Sequence, residues 1–216
     1  MIVQTLDDQY EKMPWEKIDT VVFDVGNVLI KPGFQDAFRS YPSEERPFSS
    51  EEQKYILSRT FQSPYWSMMD RGVLHLDDAI KAMTGRHIEM RPHVEHLARN
   101  WMEYKTELPE GVLALKKCKE HGKQLLVLSN YPDYAFVRLC ERFSFFSLFD
   151  GMVVSSREGY IKPERELFKI AEERYSLIPE RTVLIDDAAL NCGAAMYYGW
   201  QAICFNEPGK LERFIG

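Results

Sequence analysis

The stretch TVVFDVGN at residues 20–27 decides the fold. Its first four residues lack the polar alternation that marks a strand with one face in water, so they predict a strand buried on both faces. Four later runs have the same character and lie at residues 124–128, 151–154, 182–185 and 201–205. Stretches with helical spacing separate these runs, at residues 111–120, 134–142, 164–175 and 188–198. Strands that alternate with helices predict an α/β fold, a parallel sheet with helices on both faces.

One interval interrupts this alternation. Residues 31–106 contain no convincing buried strand, whereas residues 50–59, 76–83 and 92–104 carry helical patterns. Proline and glycine flank the interval, in KPG at 31–33 and LPEG at 108–111, as is common at domain boundaries. We therefore expect a core made of residues 1–31 and 107–216, with residues 1–18 an unplaced extension. Residues 32–106 are expected to form a helical insert.

Composition and charge argue against several classes of partner. The net charge of −6 over 216 residues gives no field that attracts nucleic acid or anionic lipid. The N-terminus does not resemble a secretory signal, and no segment reaches membrane-spanning length.

Cys118, Cys140, Cys192 and Cys204 lack metal-type spacing, so we expect reduced thiols in a cytoplasmic protein. A monomer or a small homo-oligomer is expected.

Polar residues directly follow several of the predicted strands. They lie at the carboxyl ends of these strands, where open parallel sheets bind their ligands. These residues are Asp24, Ser129, Asn130, Asp186 and Asp187, with Lys162 following the third run. Carboxylates at one rim form an oxygen-rich site that suits Mg²⁺ together with a substrate phosphate. A hydroxyl, an amide and an ammonium would stabilise the oxygens of a transferring phosphoryl group. Asp24 could then attack phosphorus and form an acyl-phosphate.

Each of these residues also has a simpler interpretation. An isolated Asp after a strand is more often a turn or cap residue than a nucleophile. Lys162 alone would be a solvated surface charge, and Asp186 with Asp187 also makes a sound helix start. The order of these residues, each at or after a strand end, is what favours a site.

Four blocks in this order resemble the haloacid-dehalogenase-like hydrolase superfamily. They are FDVGNVL at 23–29, LSN at 128–130, GYIKP at 159–163, and IDD at 185–187 with Asn191. The branch with Asp-x-Gly-Asn-Val includes sugar-phosphate phosphatases. The resemblance implies a Rossmann-like core and a helical cap inserted after the first strand.

The resemblance also assigns roles to particular residues. Mg²⁺ would be held by the Asp24 carboxylate, the Gly26 carbonyl and Asp186, with Asp187 and Asn191 in the layer behind. Phosphate would be bound by Ser129, Asn130 and Lys162, and Lys162 would act with Asp24 in catalysis.

Gly26 departs from the pattern of most phosphatases in this superfamily. They carry a second Asp two residues after the nucleophile, which protonates the leaving oxygen and later activates water. Such acid–base help is worth about 10²–10⁴ in rate, and the sequence names no clear replacement. Many relatives place another acid seven positions after the nucleophile, where this chain has Lys31, which is better interpreted as a solvated charge than as a phosphate ligand.

Three functions remain open on this reasoning. The leading hypothesis is a Mg²⁺-dependent phosphomonoesterase acting on a small phosphorylated metabolite such as a sugar phosphate. A non-hydrolytic phosphometabolite-binding protein is the alternative, because of Gly26. A haloacid dehalogenase is disfavoured, because the acidic pair with Lys162 suits a metal–phosphate site. Substrate choice would fall to insert residues, although Trp and Met at helical spacing more often form a core. The candidates are Tyr65, Trp66, Met68, Met69, Asp70 and Arg71.

Overall fold

The computed structural model describes residues 15–39, 49–85, 91–207 and 209–215. Most of the predicted N-terminal extension, residues 1–14, lies outside the described residues. Its last part, Trp15–Lys17, forms a 3₁₀ turn that leads into the first strand.

Five parallel strands form the central sheet, in the order β5-β4-β1-β6-β7. They are β1 (Thr20–Phe23), β4 (Gln124–Ser129), β5 (Gly151–Val154), β6 (Thr182–Asp186) and β7 (Gln201–Cys204). All five were predicted, and β1 lies in the middle with each of its residues buried. The predicted α/β architecture with a Rossmann-like sheet is confirmed.

Six helices of the described residues pack around this sheet or follow its last strand. They are α6 (Pro109–Glu120), α7 (Asp133–Arg142), α8 (Ser155–Glu158), α9 (Arg165–Tyr175), α10 (Ala189–Tyr197) and α11 (Lys210–Ile215). Val21 and Phe23 share a core with α6 and α7, whereas Val22 shares a core with α9 and α10. Successive residues of β1 thus face different apolar layers, which is why its sequence shows no polar alternation.

Between residues 34 and 100, where the sequence predicts a helical insert, the described residues form five helices. They are α1 (Phe34–Arg39), α2 (Ser50–Arg59), α3 (Pro64–Asp70), α4 (Leu76–Thr84) and α5 (Arg91–Asn100). The 3₁₀ turn Trp101–Tyr104 follows α5. We call α1–α5 with this turn the helical segment. Ser49 begins α2 with a capping box to Glu52, which satisfies two backbone groups at that helix start.

Two short strands join the helical segment to the sheet, and the sequence did not predict them. β2 (Ile30–Lys31) pairs antiparallel with β3 (Thr106–Glu107). Three of these four residues are exposed, so the pair lacks the apolar run by which the other strands were found.

The described residues contain no helix long and apolar enough to cross a membrane. All four cysteines are free thiols, and Cys140 is the one that is only partly buried.

Candidate functional site

Asp24 lies at the carboxyl end of β1, in the centre of the sheet. Phe23 pairs with Ile185 on one neighbouring strand and with Val127 on the other, so the residues that follow meet at the same edge. Asp24 Oδ1 accepts a hydrogen bond from Ser129 Oγ at 2.8 Å. Among the described residues, Oδ2 makes no hydrogen bond, which leaves it available to a ligand.

Lys162 is buried between two carboxylates. Its Nζ lies 2.9 Å from Asp24 Oδ1 and 2.6 Å from Asp186 Oδ2. Burial alone would lower the pKa of Lys162, but these two carboxylates outweigh it and raise the pKa above its ordinary value. The lysine therefore stays charged, and it offsets the repulsion between the two aspartates.

Asn130 holds the loop that carries Lys162. Its Oδ1 accepts from the Lys162 backbone N–H at 2.7 Å, and its Nδ2 donates to the Lys162 carbonyl at 3.0 Å. The side chain that was predicted to bind phosphate is thus engaged with the backbone of its neighbour. One amide hydrogen remains for a ligand.

Three carboxylates form an acidic cluster beside Lys162. One oxygen from each of Asp24, Asp186 and Asp187 lies within 4.8 Å of the others. Asp186 accepts from the Asn191 amide at 3.0 Å and from the Ala188 backbone N–H at 2.9 Å. Such hard oxygen donors, already oriented by hydrogen bonds, suit a divalent cation that prefers oxygen ligands.

Burial raises the pKa of two carboxyl groups of this cluster, Asp24 and Asp187. Burial raises the pKa of Asp24, against the opposing effect of Lys162, and the Asp186 charge raises it further. Burial also raises the pKa of Asp187, although Asn27 Nδ2 donates to its Oδ2 at 2.8 Å. Asn27 has a left-handed backbone with φ of 55°, in the turn that follows β1. A bound cation would add positive charge to that of Lys162 and so offset the remaining repulsion among these carboxylates.

A cavity of about 370 Å³ opens at this edge and is bounded partly by the helical segment. Four aromatic side chains of its lining pack in contact; we call Phe61, Trp66, Trp101 and Tyr131 the aromatic wall. The lining also includes Gly26, whose position the sequence analysis singled out for its missing acid.

Lys105 brings a second buried lysine to this cavity, and sequence reasoning missed it. Its ammonium lies 4.4 Å from the ring centroid of Trp101 and 5.7 Å from that of Tyr131. Burial lowers the pKa of Lys105 to about 7, although the Asp24 charge raises it. In the part of the chain that the structure describes, its ammonium has no carboxylate partner. No motif marked this lysine, because its burial arises only in the folded chain.

A family model for haloacid dehalogenase-like hydrolases matches residues 18–196. The chain belongs to the haloacid dehalogenase-like hydrolases. This match covers most of the chain, and it includes all four blocks on which the resemblance rested.

Three curated relatives share less than 30% of their residues with this hydrolase. A drimenol cyclase of Aspergillus calidoustus is 23% identical over 199 residues, 91% of this chain, but the chain spans only 35% of that protein. A sesquiterpene phosphatase of Aspergillus oryzae is 26% identical over 180 residues, 82% of this chain and 85% of the relative. A phosphorylated carbohydrates phosphatase of Thermotoga maritima is 23% identical over 189 residues, 86% of this chain and 84% of the relative.

Solved structures show the same fold. An enzyme of this family from Bacteroides thetaiotaomicron, in complex with magnesium and inorganic phosphate, superposes with a TM-score of 0.66 at 19% identity. The alignment covers 89% of this chain and 97% of the other.

Within this hydrolase, most of the residues that the sequence singled out lie together at the carboxyl edge. Lys31 differs, because it is exposed on β2. Of the insert residues proposed to set substrate choice, Trp66 and Asp70 line the cavity, whereas Tyr65 and Met68 are exposed elsewhere. Arg71 instead pairs with Glu164 of the sheet-bearing half.

Proposed function

We propose that the protein is a Mg²⁺-dependent phosphomonoesterase that acts on a small phosphorylated metabolite through an aspartyl-phosphate on Asp24. The observation that carries the proposal is the geometry of Asp24. One of its oxygens is held by Ser129 and Lys162, the other is free, and two further carboxylates lie beside it.

Each neighbouring group has a role in the proposed reaction. Asp24 Oδ2 attacks phosphorus, the bond from phosphorus to the ester oxygen breaks, and the alcohol leaves; water then hydrolyses the acyl-phosphate. Lys162 and the Ser129 hydroxyl stabilise negative charge next to the attacking carboxylate. Mg²⁺, held by the Asp24 carboxylate, the Gly26 carbonyl and Asp186, would neutralise charge on the phosphoryl oxygens. Asp187 and Asn191 would orient these ligands.

The names of the relatives support this reaction class. Two of the curated relatives are phosphatases, one of phosphorylated carbohydrates and one of a sesquiterpene. The Bacteroides enzyme was crystallised with magnesium and inorganic phosphate. From the two phosphatases and from the acidic cluster beside Asp24 we infer that phosphate esters are the substrates.

The cavity suggests what the rest of the substrate is like. Its volume of about 370 Å³ suits a small molecule, and the aromatic wall would pack against a sugar ring or an apolar group. We propose that the helical segment acts as the cap that selects this group. Lys105 would attract an anionic substituent, since a desolvated ammonium gains from a negative partner. Lys105→Met should raise KM for anionic esters about 10-fold to 100-fold and leave KM for neutral-tailed esters nearly unchanged.

The decisive experiment is a phosphate-release screen over sugar phosphates, other metabolite phosphates and aryl phosphates. We expect turnover that needs Mg²⁺ and is lost in Asp24→Asn. Calorimetry of Mg²⁺ binding gives a separate measurement, in which Asp186→Asn should bind the ion more weakly than the wild type. Asp150→Asn, which changes an exposed aspartate, is the matched control.

Other results would replace the proposal. An active Asp24→Asn enzyme would exclude the aspartyl-phosphate. Mg²⁺-dependent binding of esters without any turnover would establish the non-hydrolytic binding protein. Halide release from haloacids in the presence of a chelator would establish a dehalogenase.

A further inference from the structure

The cavity at the carboxyl edge of the sheet is lined by a carboxyl group to which the sequence motifs assign no catalytic role. Gly26, two residues after the nucleophile, offers no acid. Among the described residues that line the cavity, Asp70 carries the only carboxyl group. It is the last residue of α3 and so comes from the helical segment, not from a strand end.

One oxygen of the Asp70 side chain makes no hydrogen bond among the described residues. This oxygen, Oδ1, is buried. A buried carboxyl oxygen without a partner is costly, so such groups are uncommon unless a ligand or a reaction uses them. Burial raises the pKa of Asp70 to about 7, and the Asp24 charge raises it further.

The backbone around Asp70 is fixed against the sheet-bearing half of the molecule by three contacts. The Ser155 hydroxyl donates a hydrogen bond to the Asp70 carbonyl. Arg71 makes two hydrogen bonds to the Glu164 carboxylate, at 2.5 and 2.8 Å. Gly72 lies so close to Ser156 that an added Cβ would approach the Ser156 carbonyl oxygen to 2.1 Å. The helical segment is thus held where its carboxyl group faces the cavity.

We propose that Asp70 is the general acid and base of the reaction, supplied by the helical segment in place of an acid at Gly26. This inference rests on the proposed phosphatase function. As Asp24 attacks phosphorus and the ester bond breaks, the proton of Asp70 passes to the leaving oxygen, which departs as the alcohol. The Asp70 carboxylate then takes a proton from water as that water attacks the phosphorus of the aspartyl-phosphate. The bond from phosphorus to Asp24 Oδ2 breaks, inorganic phosphate leaves, and Asp24 is again a carboxylate while Asp70 is again protonated.

Aryl and alkyl phosphates separate this role from a structural one. A nitrophenolate leaves without a proton, so Asp70→Asn should still form the aspartyl-phosphate from p-nitrophenyl phosphate. The rate at which water hydrolyses this aspartyl-phosphate should fall by about 10²–10⁴, because the base is missing. We expect a burst of one nitrophenolate per active site and then slow turnover. With an alkyl phosphate, whose leaving oxygen needs a proton, the same variant should turn over slowly from the start and show no burst.

Controls address folding and local charge. Asp78→Asn changes an exposed aspartate of the same segment and should behave as the wild type. If Asp70→Asn does not fold, Asp70→Ser gives the same measurement. Formate added to Asp70→Ala should restore turnover, since a small carboxylate can enter the space that the side chain leaves.

The inference fails if Asp70→Asn retains wild-type turnover. It also fails if both ester classes slow by the same factor without a burst, which would indicate a structural role. In either case an active wild type and an inactive Asp24→Asn would leave the proposed function intact. A wild type inactive on every ester would instead overturn the proposed function.

Discussion

Replacing Lys162 by Met tests the electrostatics of the site without any assay of activity. Lys162 lies within 3 Å of two buried carboxylates, Asp24 and Asp186, whose side chains are 12% and 0% exposed. Met has a similar length but no charge, so it leaves these carboxylates without a cation when no metal is present. We expect a large loss of stability in chelator.

The size of this loss follows from the geometry. Removing one partner of a buried ion pair costs about 3–5 kcal/mol. Carboxylate oxygens of the two aspartates lie within 4.8 Å, and two charges at that separation repel by about 3.5 kcal/mol at an effective dielectric constant of about 20. A loss of this size should lower Tm by roughly 10 °C for a chain of this length.

The loss should depend on pH with a definite sign. Without Lys162, the pKa of Asp24, already raised to about 6 by burial, should rise further. The folded state then binds more protons than the unfolded state, in which this carboxyl has a pKa near 3.8. This part of the destabilisation is therefore complete above the folded-state pKa of the variant and is lost as the pH falls to about 6, the folded-state pKa of Asp24 in the wild type. The variant should recover relative to the wild type between pH 7 and pH 5.

Thermal unfolding at both pH values, in chelator and then in Mg²⁺, measures these effects. Added Mg²⁺ should raise Tm more in Lys162→Met than in the wild type, because the ion supplies the missing positive charge. Lys119→Met is the matched control, since its ion pair with Asp150 is about 40% exposed on both sides and contributes about 1 kcal/mol or less. A Tm for Lys162→Met within about 2 °C of the wild type at pH 7, or a gap that does not shrink at pH 5, would refute the reasoning.

Two further substitutions test the contacts around the site. Gly72→Ala should lower kcat, and it should destabilise the fold by about 1–3 kcal/mol more than Gly85→Ala does. Both glycines have positive φ, but a Cβ added at Gly72 would also clash with Ser156. Equal unfolding free energies in urea would contradict the close approach. Asn191→Ala should weaken Mg²⁺ binding about 10-fold to 100-fold, since the amide orients both oxygens of Asp186 at 3.0 and 3.2 Å. An unchanged Kd in calorimetry would show that this hydrogen bond does not orient a ligand.

The sequence alone was sufficient to predict the strands of the sheet and the polar residues at its carboxyl edge. The β1 strand, Thr20–Phe23, has apolar layers on both of its faces, and such strands appear as continuous apolar runs in any chain. Polar residues that close these runs must meet at one edge when the strands are parallel. Asp24, Ser129 and Asp186 could therefore be placed together before any contact was known.

The short β2–β3 pair and the contacts of Asn130 depended on tertiary structure. The β2–β3 pair is short and mostly exposed, so it lacks the periodic pattern from which strands are predicted. Asn130 could be placed at the edge, but its engagement with the Lys162 backbone depends on how two loops meet.

Asp24 as the proposed nucleophile was thus accessible from the sequence, whereas its proposed acid partner was not. The sequence singled out Asp70 only as a candidate for substrate choice, and it did not mark Lys105 at all, since neither residue follows a predicted strand. Their pKa values move to about 7 because folding removes water from both side chains. Local sequence patterns determine which segments become strands and helices. Only the packing of the helical segment, and of the residues that follow it, against the sheet decides which charged side chains become buried near Asp24.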